Sequence, residues 1–150
     1  MSGPVFCDIH GMILGPAIHD STLTAFSLSQ PAGLDASFRR VSGEIVRAHF
    51  ANIHEINFVN VRQQMIVSEI WAWKLETAPI ALIIEDSAWR ILFLGYVAFA
   101  DIEKEIARRV KKYPGALLVQ ISSSYGGTIA AICERIHFHL PDSGSTELAL

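Results

Sequence analysis

Apolar residues in this chain recur at period two over most of its length and at helical period in one stretch only, so the fold has to be organised around sheet. Residues 5–18 contain Gly11, Gly15 and Pro16, which predict short strands broken by turns. Residues 22–28 alternate, with Thr24, Phe26 and Leu28 on one side and Leu23, Ala25 and Ser27 on the other. A Gln30-Pro31-Ala32-Gly33 turn follows, and residues 38–50 resume a strand with Val46, Ala48 and Phe50 in step. Residues 52–60, rich in asparagine, interrupt the pattern as a loop or bulge.

Residues 65–75 read as strand, with helix the rival, because aromatic and branched side chains fit a pleated surface. Strand geometry puts Met65, Val67, Glu69, Trp71, Trp73 and Leu75 on one face, and Ile66, Ser68, Ile70, Ala72 and Lys74 on the other. Residues 80–84 and 89–94 flank the polar turn Glu85-Asp86-Ser87 and predict a hairpin.

The helical stretch is 102–112, where Ile102, Ile106 and Val110 recur every four residues beside Ala107. Asp101 is the expected N-cap, the basic last turn suits the carbonyl end of the dipole, and Tyr113-Pro114-Gly115 stops the helix. Residues 116–121 and 128–140 then flank Ser122–Gly127 as a final hairpin, with helix over 128–135 the rival. On that strand Ala130, Ile132, Glu134, Ile136 and Phe138 alternate with Ile129, Ala131, Cys133, Arg135 and His137. The expected fold is α+β: mostly antiparallel β, as two packed layers or one curled sheet, with one amphipathic helix over 102–112.

At 150 residues the chain is one domain's worth, enough to bury roughly 70% of its unfolded surface without a disulfide or a metal. Its apolar fraction, 51%, is high enough to feed a large core, a partner interface or both. The longest apolar run, 91–100, includes Gly95 and falls short of the about 20 residues that a membrane span needs. No Lys or Arg precedes Asp8, which argues against a secretory leader. Cys7 and Cys133 lack CxxC spacing, so reduced thiols in a cytoplasmic protein are expected, a Cys7–Cys133 bridge being the alternative. Net charge is −3, against the basic excess of a nucleic-acid binder, and the basic groups concentrate in 101–112.

No motif carries chemistry by its spacing. His137-x-His139 and Asp8-x-His10 each offer two donors, yet they lack metal-site spacing, and the histidine pair reads as two solvent-facing side chains near a strand end. Cys133 and His137 would share a strand face but stand about 13 Å apart, too far for a nucleophile and its base. Ser122-Ser123-Ser124-Tyr125-Gly126-Gly127 lacks the lysine of a phosphate loop and reads as a glycine turn. Trp71 and Trp73 are core residues, or an interface if their face is exposed. Lys104, Arg108, Arg109, Lys111 and Lys112 could touch phosphates, but such a run reads first as the solvated side of the helix. The expectation is no catalytic residue, no metal and no cofactor. The runner-up is a small-ligand or hydrolase-like pocket lined by Cys133, His137 and Tyr125.

Several segments also carry a likeness: Asp8-Ile9-His10, Asn60-Val61-Arg62-Gln63-Gln64-Met65-Ile66, the run Leu117-Leu118-Val119-Gln120-Ile121 into Ser122–Gly127, and Ile132-Cys133-Glu134. In these the chain resembles small bacterial β-rich proteins, some of them similar to immunity partners of contact-dependent growth-inhibition toxins. The resemblance implies a cytoplasmic protein that blocks a cognate toxin domain by binding it, with no catalytic residues; from charge and apolar run length, no nucleic acid and no membrane are expected as partners. If that toxin is a nuclease its surface is basic, and an acidic partner would be steered to it. Glu55, Glu69, Glu76, Glu85 and Asp86 are then the candidate partner-binding residues. A homo-oligomeric scaffold, with the apolar surplus in a homodimer face, is the rival in another class.

Overall fold

The structure is a computed structural model that describes residues 6–79, 87–94, 97–141 and 143–147, with Phe6, Phe99 and 143–147 as backbone only. In chain order the elements are β1 (Phe6–Cys7), β2 (Ile13–Gly15), β3 (Ser21–Ser29), β4 (Gly33–Arg39), β5 (Ile45–Ala51), β6 (Glu55–Val59) and β7 (Ile66–Lys74). Then come α1 (Ala88–Phe93), α2 (Ile102–Lys112), β8 (Leu117–Tyr125), β9 (Thr128–Cys133), β10 (Arg135–Leu140) and β11 (Ser143–Glu147). All strand pairings are antiparallel, and β3 to β11 form one sheet in the order β11-β10-β5-β4-β3-β7-β8-β9-β6. The chain is therefore α+β, and of the two expected arrangements it adopts the single curled sheet.

The curl goes full circle. Only Glu134 separates β9 from β10, and only residues 52–54 separate β5 from β6, so each pair is one bent strand. These bent strands pair with each other along their length, Arg135 opposite Ala51 on one side of the bend and Ile132 opposite Glu55 on the other. Glu134 N–H donates to Ala51 O at 3.0 Å and His54 N–H to Ile132 O at 2.8 Å, which carries the ladder through the bend. The result is a closed barrel with walls β3, β4, β5–β6, β10–β9, β8 and β7. Bulges supply the strand bending that closure requires.

Those bulges also move side chains between faces, and here the expected alternation needs correction. At Leu23/Ala25 the register slips, so Leu23 shares a face with Phe26 and Leu28 rather than opposing them; Leu23 is buried, while Phe26 and Leu28, paired with Ala36 and Leu34, remain exposed. At Val67/Glu69 a second slip puts Val67, Ile70 and Ala72 on the buried side, separating Val67 from Trp71 and Trp73. At Glu134 a third leaves Cys133, Ile136 and Phe138 all in the barrel core, so Cys133 and His137 do not share a face. Residues 38–50 are two strands, turning at Gly43 with φ 92°, and 55–59 is strand. Both helix rivals, over 65–75 and 128–135, give way to strand.

β8 and β9 are buried on both faces. Val119, Ile121, Ile129 and Cys133 fill the barrel, while Leu118, Ala130 and Ile132 pack outward against Trp89, Leu92, Ile102 and Ile106 of the helices. The expected helix falls at Ile102–Lys112 with Ile102 and Ile106 buried, although Ala107 is exposed and Asp101 makes no side-chain cap bond. The hairpin expected around Glu85-Asp86-Ser87 is corrected in its second half: Ala88–Phe93 is helix, its Ser87 hydroxyl accepting from Arg90 N–H. All of that turn except Arg90 is buried, so no polar face marks its period. The first half, 80–86, lies outside the described residues. No helix among the described residues is long and apolar enough to cross a membrane.

A strap runs along β7 where β3 leaves it. β3 pairs with β7 only at Ser21 and Thr22. Below that seam, Gly11 O accepts from Ala72 N–H at 2.8 Å, and Met12 bridges to Trp71. Gly11 (φ 93°) lies so close to the Trp73 indole that a Cβ there would sit 2.5 Å from Nε1.

Phe138 is fully buried inside the barrel, whereas Leu28 is 70% exposed. Phe138→Ala is expected to cost about 3–5 kcal/mol by urea unfolding, and Leu28→Ala no more than about 0.5 kcal/mol. Equal midpoint shifts would refute this assignment of the core.

Candidate functional site

The candidate acids fall in different settings. Glu55 lies on the helix side of β6, where its carboxylate accepts from Arg109 Nε at 3.1 and 3.2 Å. Arg109 also pairs with Glu105 and lies over the Phe93 ring, 4.6 Å from its centroid. Tyr113 donates to Glu55 at 3.4 Å and stacks on His54, which reaches Glu134 at 3.6 Å. Glu55 therefore ties α2 to the barrel bend, and Arg109 belongs to that junction rather than to the solvated side of the helix. Glu76 accepts from Gly115 N–H at 2.6 Å, which holds its carboxyl below the usual range. Glu69 is exposed and accepts from Trp71 Nε1 at 3.0 Å. Glu85 and Asp86 lie outside the described residues.

The runner-up pocket residues are not brought together. Cys133 faces the barrel core, and burial pushes its thiol up to about 12. His137 faces outward from β10, and Tyr125 is exposed at the β8–β9 turn. That turn has Gly126 and Gly127 at φ 114° and 134°, as a glycine turn requires. Both cysteines are free. Asp8 spends its carboxylate on Met12 and His10 N–H groups at 2.9 and 2.8 Å, which lowers its pKa. Trp71 and Trp73 stack at 5.8 Å and are half-buried beside the strap, with Trp73 Nε1 donating to His10 O.

Two arrangements escaped the sequence reading. On the outer face of the barrel, register places Asp35 opposite His49 and His49 opposite His137. Asp35 Oδ1 meets His49 Nδ1 at 2.7 Å, and the two imidazole centroids lie 6.3 Å apart. The ring of His49 overlies Gly33, where a Cβ would sit 2.7 Å from Cε1. Asp35 thus fixes the orientation of His49 in the manner of a carboxylate–imidazole pair. No group of three or more His, Cys, Asp or Glu side chains that could hold a metal occurs among the described residues. His137 was visible in the sequence; its neighbours come from other strands and had no local signal.

The second arrangement is an open groove of about 920 Å³ beside the short β3–β7 seam, lined by Thr22, Thr24, Arg39, Gln63, Gln64 and Tyr125 among others. Tyr125 also walls an adjoining hollow of about 460 Å³ that holds Arg62 and the Ser122–Gly127 turn. Among the described residues Arg39 and Arg62 are the only charged ones lining the two. Neither joins an ion pair among the described residues. This surface offers hydrogen-bonding side chains, one aromatic ring and positive charge. No family model, curated protein or solved structure matches the chain.

Two measurements check these assignments. Glu55→Ala strips a half-buried arginine of its partner and is expected to lower stability by about 1–3 kcal/mol, whereas Glu69→Ala should stay within about 0.5 kcal/mol. A colourless-to-coloured thiol reagent should label Cys7 alone in the native protein and Cys133 only after unfolding, because reaction needs an accessible thiolate. Rapid native labelling of both would place Cys133 outside the core.

Proposed function

We propose that this chain is a cytoplasmic immunity protein that neutralises a cognate bacterial toxin domain by forming a stoichiometric complex with it. One structural observation supports the binding half of this reading: Thr24 to Leu28 of β3 are all exposed, including Phe26 at 44% and Leu28 at 70%, and Thr24 at one end of this stretch lines an open groove. Apolar side chains at the rim of an otherwise well-filled barrel are what a protein partner would cover. The strands are hydrogen-bonded to their neighbours around the barrel except where β3 and β7 part, so little ordering has to accompany binding, and that raises affinity for a given contact area. The toxin half of the reading rests on the resemblance described above. Neutralisation then needs no chemistry from this chain: occupying the toxin's substrate surface is enough.

Co-expression tests it. If the neighbouring reading frame encodes a toxin domain, cells that produce that domain should survive when this chain is present, and the two should co-purify in equal amounts. Killing that persists, with no complex recovered, would rule the reading out. A scaffold role would show instead as a homodimer that leaves killing unchanged.

A further inference from the structure

We infer that the free edge of β3 at Thr24–Leu28, with the groove that opens at its Thr24 end, takes an extended acidic segment of a protein partner as an added β-strand. The inference deepens the proposed function and rests on its reading of this chain as a binder of proteins.

The edge comes first. β4 pairs with β3 from Thr22 to Ser29 along one side. On the other side β7 reaches only Ser21 and Thr22, and the bond from Leu23 N–H to Met65 O is the last. Past it, no backbone bond joins 24–28 to anything but β4 among the described residues. A strand edge of this kind presents alternate donors and acceptors that another strand satisfies. Exposed edges are normally blunted by lysine, proline or an inward charge. β3 reads Ser-Thr-Leu-Thr-Ala-Phe-Ser-Leu-Ser, with none of these.

The groove then selects the occupant. Among the described residues Arg39 is the only charge lining the groove and Arg62 the only one lining the adjoining hollow, so a partner segment carrying carboxylates matches this surface. A second copy of this chain matches poorly: β3 has no acid, so two edges laid together would leave the arginines uncompensated. A nucleic-acid strand would suit the arginines but has no row of backbone amides to complete the edge.

The test uses the whole protein and a fluorescent synthetic peptide of alternating valine and glutamate. Binding is followed by anisotropy, and its position by the hydrogen exchange of individual amides. The peptide should bind and slow exchange within Thr24–Leu28. Its lysine-for-glutamate counterpart should bind at least about tenfold more weakly, and a version N-methylated at alternate residues should not bind. The surface variant Arg39→Glu with Arg62→Glu should reverse the charge preference. The proposal is overturned if the lysine peptide binds equally well or if protection appears elsewhere. It is likewise overturned if single-stranded oligothymidylate displaces the peptide from the same amides, or if β3 is protected by self-association alone. The peptides carry no toxin sequence. Failure here therefore leaves toxin neutralisation standing, and failure of neutralisation leaves the edge site standing.

Discussion

The pairing of 45–59 with 128–140 across a shared bend is the constraint from which the rest of this structure follows. Each segment must change direction, since a regular strand would carry the sheet outward instead of around. The extra residue in 52–54 against 133–134 provides the turn, and Asn52 adopts a left-handed conformation (φ 52°) that asparagine tolerates better than most residues. Its amide then donates to Glu134 at 2.7 Å, so the residue that makes the bend possible also holds it. His54, Tyr113, Glu55 and Arg109 extend the same junction to α2. The charges in that chain are partly shielded from water and paired, where ion pairs contribute more than they do at a free surface.

Closure divides the apolar surplus into two cores. Phe38, Phe50, Phe138 and Met65 fill the barrel, and Trp89, Leu92, Ile102 and Ile106 cover the outside of β8 and β9. A barrel normally disposes of sheet edges altogether. This one does so incompletely, because β3 and β7 overlap for a short distance and then part. The strap around Gly11 and Met12 takes up the freed edge of β7. Nothing among the described residues takes up the freed edge of β3, and the groove beside it is the geometric consequence of that divergence.

The polar outer face has a related origin. Once Val46, Ala48 and Phe50 point inward, the intervening Arg47 and His49 must point outward, and register sets His49 between Asp35 and His137. The row is thus a product of pairing among β4, β5 and β10. By contrast, the exposed charges of α2 at Lys104, Arg108 and Lys112 follow from the helix's own period.

By itself the sequence determined those features whose cause is local. The helix Ile102–Lys112 was legible because four-residue spacing of Ile102, Ile106 and Val110 is satisfied within the helix. The sheet-dominated fold class was legible for the same reason, as was the glycine turn after β8, where positive φ excludes most residues. Tertiary structure decided the facing of Leu23, Val67 and Cys133, because a bulge is defined by the partner strand and a one-residue slip moves every later side chain to the other face. It decided that Trp89–Phe93 is a helical turn, since a segment buried nearly all round shows no period. It also brought Asp35 to His49 and Glu55 to Arg109, pairs made by register and layer packing that no spacing along the chain encodes. Local periodicity records which face of an element is apolar; only the closed barrel determines what each face meets.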